Sequence, residues 1–223
     1  MQRLADIRQR YTSSSERYSK YADVERWLKI NIARVQALKL HRSSPKEILD
    51  LGCGGGFFLF ICQQLGHRGI GLDIDELPLL RELVDLLHAE RKVWRIGPFE
   101  PLPDLGRKFD WITAFSTAFN RSGDESRGWD AAEWAYLLDD LHRRLKPGGK
   151  IFLEVNSGKT KKYFPPDVRE LFLRRGARVE GERILFGNVF GQRNRNAGDS
   201  CKEKLPLTFR QRNFASSNRD QFI

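Results

Sequence analysis

The sequence predicts an α/β protein: a doubly wound, mostly parallel sheet preceded by a helical extension. Two observations carry this. From Glu47 to Phe186, short apolar runs alternate with segments of helical periodicity. The first of those runs, "EILDL", leads directly into the glycine-rich stretch Gly52–Gly56, at the position where such sheets open onto a ligand.

Element by element, the first twenty residues are polar and read as loosely ordered. From Tyr21 to Leu40, Val24, Trp27, Leu28, Ile32, Val35 and Leu38 fall near helical spacing and predict one buried stripe. "HRSSP" breaks that pattern. After "EILDL", "FFLFICQQL" predicts a helix with Gly66 at its C-terminus. "GIGLDI" is the second strand. Pro78 opens a helix faced by Leu79, Leu80, Leu83, Val84 and Leu87. "KVWRI" marks the third strand and "FDWITAF" the fourth. Asp130 and Glu133 have capping-box spacing ahead of Trp134, Leu137, Leu138, Leu141 and Leu145. "KPGG" predicts a turn and "KIFLEV" the fifth strand. A helix from Pro166 to Arg175 ends at Gly176, and "ARVEGERILF" supplies one more strand or a hairpin. The tail from Gln192 has few aliphatic residues and no period, and is read as disordered or as a surface arm.

Charge divides the chain in the same way. Residues 1–46 hold 11 Lys and Arg against 4 Asp and Glu, residues 192–223 hold 7 against 3, and residues 47–191 hold 21 against 22. The basic flanks are candidates for nucleic-acid contact or plain solvated surface, around a near-neutral body. Cys53, Cys62 and Cys201 are too scattered for a disulfide framework or a zinc cluster. With neither a signal-like apolar N-terminus nor a membrane-length run, the expected setting is cytoplasmic, with no membrane span and no metal.

A glycine turn between the first strand and its helix lets backbone approach a ligand closely. A phosphate loop needs Lys and Ser or Thr after the last glycine, where Phe57 and Phe58 stand. A dinucleotide fingerprint needs a small residue at its sixth position, which is Phe57 or Leu59 depending on the starting glycine. The pattern present is Asp-x-Gly-x-Gly-x-Gly: Asp50, Gly52, Gly54 and Gly56. Here the sequence resembles the class I S-adenosylmethionine (SAM) dependent methyltransferases, and the resemblance extends through Asp73, "FDWITAF" and "LKPGGKIFLEVN", covering roughly Lys46 to Phe186. It implies a Rossmann-like SAM-binding domain over 46–190, with an extension at 1–45 and a basic tail at 191–223.

The resemblance also implies roles. The backbone from Gly52 through Cys53, Gly54 and Gly56 packs against the methionyl part of SAM. Asp50 receives its ammonium, a charge-assisted contact, and Asp73, followed by Ile74, receives the ribose hydroxyls. The adenine lies near "IGPFEPL", with Phe99 for its face and Glu100 for its amino group. Phe115 ends the fourth strand beside the cofactor. Acceptor-handling residues lie beyond the strand ends, which selects Phe119, Asn120 and Asn156. Asn120 and Asn156 have the alternative role of turn formers. Arg121, Arg127, Lys159, Lys161 and Lys162 in the same loops favour an anionic acceptor, and Trp129, Tyr163 and Phe164 add aromatic character. Tyr18 and Tyr21 either close over the cofactor or pack on the sheet. Glu154 is either a base or a strand residue paired with a surface lysine.

No catalytic residue is assigned. His41, His67, His88 and His142 read as surface or packing residues. The Asn/Asp-Pro-Pro-Tyr/Phe motif is replaced by "STAFN", and no Pro-Cys follows the fourth strand. The expected activity is methyl transfer to oxygen or nitrogen of a small organic acceptor. The alternatives are a nicotinamide-dependent reductase and a non-enzymatic module that binds nucleic acid through its basic flanks.

Overall fold

Ile48, Leu49 and Leu51 are all fully buried, so the first strand, β1 (Glu47–Leu51), is covered on both faces, as an interior parallel strand must be. The computed structural model describes residues 2–12, 19–120, 128–156 and 164–187. Tyr18, Arg121, Arg127, Lys159, Lys161, Lys162, Tyr163 and the tail 191–223 lie outside the described residues. Around β1 stand β2 (Arg68–Asp73), β3 (Arg91–Val93), β4 (Phe109–Thr117), β5 (Leu145–Val155), β6 (Arg178–Glu180) and β7 (Arg183–Phe186), in the order β3-β2-β1-β4-β5-β7-β6. The first five run parallel; β7 is antiparallel to both β5 and β6. The predicted fold class holds.

Helices α1 (Gln2–Thr12), α2 (Val24–Ala37), α3 (Phe57–Gln64), α4 (Pro78–Leu87), α5 (Ala131–Arg143) and α6 (Pro166–Arg174) surround the sheet, with 3-10 turns at Ser19–Ala22 and Leu40–Arg42. Alternation along the strands sorts the core into two layers. Leu49, Leu51, Ile112 and Ala114 pack with Trp134, Leu138, Val168 and Phe172 of α5 and α6. Ile48, Trp111 and Phe152 pack with Val35 of α2 and Phe58, Leu59 and Cys62 of α3. None of the described helices is long and apolar enough to cross a membrane.

Three expectations are corrected. The start of the chain is not loose: α1 carries Leu4, Ile7 and Tyr11 on one face, and they pack with Leu79, Leu80 and Leu83 of α4. Arg10 and Tyr11 both bond Glu82. Ile32 is 44% exposed, because the true centre of the α2 stripe is Asn31, which is buried and donates to the Trp27 carbonyl at 2.9 Å. "KPGG" lies within β5 as an irregularity: pairing jumps from Phe109↔Leu145 to Trp111↔Lys150. Of the two readings of "ARVEGERILF", the hairpin is the one formed: β6 pairs with β7, and β7 pairs with β5.

Local signals set the remaining geometry. Asp130 and Glu133 form the expected reciprocal capping box at the start of α5. Asp140 of α5 is buried and accepts from the Leu102 amide at 2.9 Å and from Arg144 Nε at 3.1 Å. Arg144 in turn donates to the Leu102 and Pro103 carbonyls. This clamp fixes the proline-rich loop after β3 against α5. His67 is a packing residue: its Nδ1 accepts from the Lys46 amide at 3.1 Å while Nε2 meets the Leu40 carbonyl at 3.1 Å.

Candidate functional site

The strand order reverses between β1 and β4, and a crevice opens beyond their carboxyl ends. It is a cleft of about 480 Å³. Its floor is the glycine turn, one wall is Leu72–Ile74 with Trp94–Pro98, and the other is Phe115–Phe119 with Tyr21, Trp27, Asn31 and Arg34 from the N-terminal segment.

The turn is held by Asp73. Its Oδ2 accepts from the Gly54 amide at 2.5 Å and its Oδ1 from the Ile74 amide at 2.7 Å. Each oxygen retains a further lone pair for a ligand hydroxyl. Burial raises the Asp73 pKa against the pull of those two amides. Gly54 has φ 55° and a Cβ built there would meet nothing within 4 Å, so the space above it lies open. At Gly52, φ is 72° and a Cβ would fall 2.5 Å from Thr117 Cγ2. One glycine thus serves the cleft and the other serves the packing of β1 on β4.

Asp50 is 3% exposed, and its Oδ1 accepts from Thr113 Oγ1 at 2.7 Å. Burial pushes its pKa up to about 7, against the Thr113 hydrogen bond and the charge of Arg34. Arg34 reaches the same cleft from α2. Its guanidinium lies 4.5 Å from the centre of the Phe115 ring, its Nη1 donates to Asn31 Oδ1 at 3.0 Å and its Nη2 to Ser116 Oγ at 3.3 Å. Burial lowers the Arg34 pKa against the opposing charges of Glu154 and Asp50. A buried acid and a half-buried guanidinium therefore face one cleft without forming an ion pair with each other among the described residues.

Beside them, Glu154 accepts from Ser116 Oγ at 2.8 Å and from Arg183 Nε at 2.9 Å. The expected partner was a surface lysine. It is an arginine because the β5–β7 register sets Glu154 opposite Arg183.

The cleft brings together Asp50, Gly52, Cys53, Gly54, Asp73, Ile74, Phe115 and Phe119 of the residues the sequence singled out, and Tyr21 as well. Burial raises the Cys53 thiol well above its usual range, which suits a packing role. Gly56, with φ 78°, caps α3 behind the turn; a Cβ there would lie 2.7 Å from Ala89 Cβ.

Phe99, Glu100, Asn120 and Asn156 are outside the lining. Phe99 is 55% exposed with φ 56°, turned outward to meet Tyr136 edge-on at 5.9 Å. The clamped, proline-rich loop instead presents Trp94–Pro98 to the cleft. Asn120 is buried, with its carbonyl accepting from the Trp129 amide at 2.8 Å. The Asn156 amide donates to the Thr117 carbonyl at 2.7 Å.

Arg34, Asn31 and Trp94 were not singled out from sequence. Asn31 alone left a signal, as a polar residue in the middle of an apolar stripe.

Comparison with known proteins places this geometry in context. A family model described as a methyltransferase domain matches residues 23–194. The ubiquinone biosynthesis O-methyltransferase of Pseudomonas aeruginosa (strain UCBPP-PA14) is 26% identical over 170 residues, covering 74% of this chain and 68% of that protein. The tRNA U34 carboxymethyltransferase of Campylobacter hominis is 30% identical over 116 residues, covering 49% of this chain and 36% of its own length. The solved structure of Streptomyces venezuelae DesVI superposes with a TM-score of 0.52 at 15% identity, over 78% of this chain and 99% of that one. That last likeness is one of fold.

Proposed function

Since the chain belongs to the methyltransferase-domain family, whose class I members depend on S-adenosylmethionine, we propose that its cleft binds SAM and delivers the methyl group to oxygen or nitrogen of a small organic acceptor. The observation that carries this reading is the pairing of opposite charges in one cleft. The amino-acid end of SAM is a zwitterion, and buried Asp50 and half-buried Arg34 offer one group of each sign for it. A dinucleotide would bring phosphates to the glycine turn, where the nearest carboxylates, Asp50 and Asp73, repel them. Family membership likewise sets aside the reductase and the non-enzymatic module.

In this reading Asp73 takes the ribose hydroxyls with the lone pairs its two amide bonds leave free. The open space above Gly54 admits the ligand against bare backbone. Ile74 and the Trp94–Pro98 segment flank the base. When bound, the sulfonium supplies an activated methyl group. The chain itself holds the two reactants in line and excludes water. Tyr21 stacks on Trp27 with ring centroids 5.0 Å apart and a 23° interplanar angle, closing one side of the cleft. Phe115 and Phe119 provide apolar walls for an acceptor where β4 ends.

Calorimetric titration with S-adenosylhomocysteine, beside Asp73→Ala, tests the reading. Micromolar binding to the wild type, lost in the variant, is the expected result. A folded wild type that ignores the ligand would sink it.

A further inference from the structure

We infer that Ser116 and Glu154 form a positioning relay that aims Arg34 into the cleft and so sets the affinity for the amino-acid end of the cofactor; this rests on the role given to Arg34 above. Ser116 is a non-glycine residue at φ 54°, a backbone conformation that persists only where its surroundings enforce it. It lies in a bulge of β4, between Phe115 paired with Glu154 and Thr117 paired with Val155. In a regular strand, Phe115 and Ser116 would point to opposite faces. The left-handed residue instead turns the hydroxyl to the face that carries Phe115, Glu154 and Arg34.

The hydrogen bonds then run in one direction. Glu154 Oε2 is taken by Arg183 Nε at 2.9 Å. Its Oε1 is 3.9 Å from Arg34 Nη2, beyond a hydrogen bond, but accepts the Ser116 hydroxyl proton at 2.8 Å. A hydroxyl has one proton. With that proton committed to Glu154, a Ser116 lone pair is left to accept from Arg34 Nη2 at 3.3 Å. Asn31 holds the other guanidinium nitrogen, and the Phe115 ring supports the guanidinium from below. The hydrogen bonds of Arg34 thereby go to neutral partners, and Glu154 adds only the longer 3.9 Å ion pair, so the guanidinium keeps hydrogen-bonding capacity for a ligand carboxylate.

The test compares two probes on the full chain. S-adenosylhomocysteine carries the amino-acid end; 5′-methylthioadenosine lacks it. Ser116→Ala is expected to weaken S-adenosylhomocysteine about tenfold or more, the lower end of the range for losing one hydrogen bond to a charged group, and methylthioadenosine less than about 2-fold. Ser116→Gly adopts φ 54° without strain and should show the same loss, which assigns it to the hydroxyl rather than to the backbone. Glu154→Gln should fall between wild type and Ser116→Ala. Equal losses for both probes, no loss for either, or tighter S-adenosylhomocysteine binding by Glu154→Gln would each overturn the relay. A folded wild type that binds neither probe would remove the cofactor reading, and the relay with it.

Discussion

Thr113 Oγ1 donates to Asp50 Oδ1 at 2.7 Å across the register that pairs these two residues of β4 and β1. The hydroxyl is the first compensation for a carboxyl group that is otherwise sealed between strands and helices. It is not enough: burial still lifts the Asp50 pKa to about 7. The site thus contains an acid that is ready to ionise when a cation arrives and is costly to ionise without one.

Stability should fall as pH rises. The Asp50 pKa goes from an ordinary 3.8 to about 7 on folding, so the folded state holds the proton more tightly than the unfolded chain. The contribution is full below about pH 4, is lost progressively up to about pH 7, and is constant above that; its size is on the order of a few kcal/mol. Urea midpoints from pH 4 to 8 for wild type and Asp50→Asn would show it. Wild type should lose stability relative to Asp50→Asn as pH rises through this window. A pH-independent difference would mean that Asp50 does not titrate there.

Cofactor-product affinity should move the opposite way. An ammonium needs the ionised carboxylate, so S-adenosylhomocysteine binding should strengthen up to about pH 7 and then level off, being about tenfold weaker one unit below that point. Removing the hydroxyl in Thr113→Val should raise the Asp50 pKa further and shift the curve to higher pH. Titration calorimetry at pH 6, 7 and 8 reads both. Coincident curves for wild type and Thr113→Val would show that the hydroxyl has no part in Asp50 ionisation.

The glycine turn was legible in the sequence because approach to a ligand forbids side chains, and that prohibition leaves an unusual composition. Asp50 and Asp73 were legible through their spacing from it. Arg34 was not, since an arginine in an amphipathic helix reads as solvated. Only the packing of α2 over β4 places it above Phe115. Phe99 lies outside the cleft lining for a related reason: its φ is 56° and its ring meets Tyr136, and nothing in "IGPFEPL" announces that. Ser116 was equally silent, because a bulge depends on the partner strand as much as on its own residues. The helix α1 could have been read from Leu4, Ile7 and Tyr11, but three residues are a weak period in a polar segment.

Two glycines of the turn should separate ligand binding from stability. Gly54→Ala places a methyl group in open space at φ 55°. The backbone strain should cost about 1 kcal/mol, while the methyl group obstructs the cleft and cuts S-adenosylhomocysteine binding by more than tenfold. Gly52→Ala collides with Thr117 Cγ2 and should cost about 2 kcal/mol or more. Thermal unfolding beside calorimetry checks both. The idea fails if Gly54→Ala binds as the wild type does.

The clamp on the loop after β3 gives a prediction away from the cleft. Asp140 is 4% exposed and joins the Leu102 amide to Arg144, whose guanidinium also reaches the Leu102 and Pro103 carbonyls. Asp140→Ala leaves a buried amide and a largely buried arginine without their acceptor, a loss of about 3 kcal/mol. Asp140→Asn retains one acceptor oxygen and should cost about half as much. Both changes release the chain that continues from the cleft-lining segment Trp94–Pro98. Binding of 5′-methylthioadenosine should therefore weaken along with stability, whereas the Ser116 variants leave that probe unaffected. Urea unfolding and titration of the two variants would decide it: a stability loss with unchanged methylthioadenosine affinity would show that the Trp94–Pro98 wall is fixed by β3 and Asp73 rather than by α5.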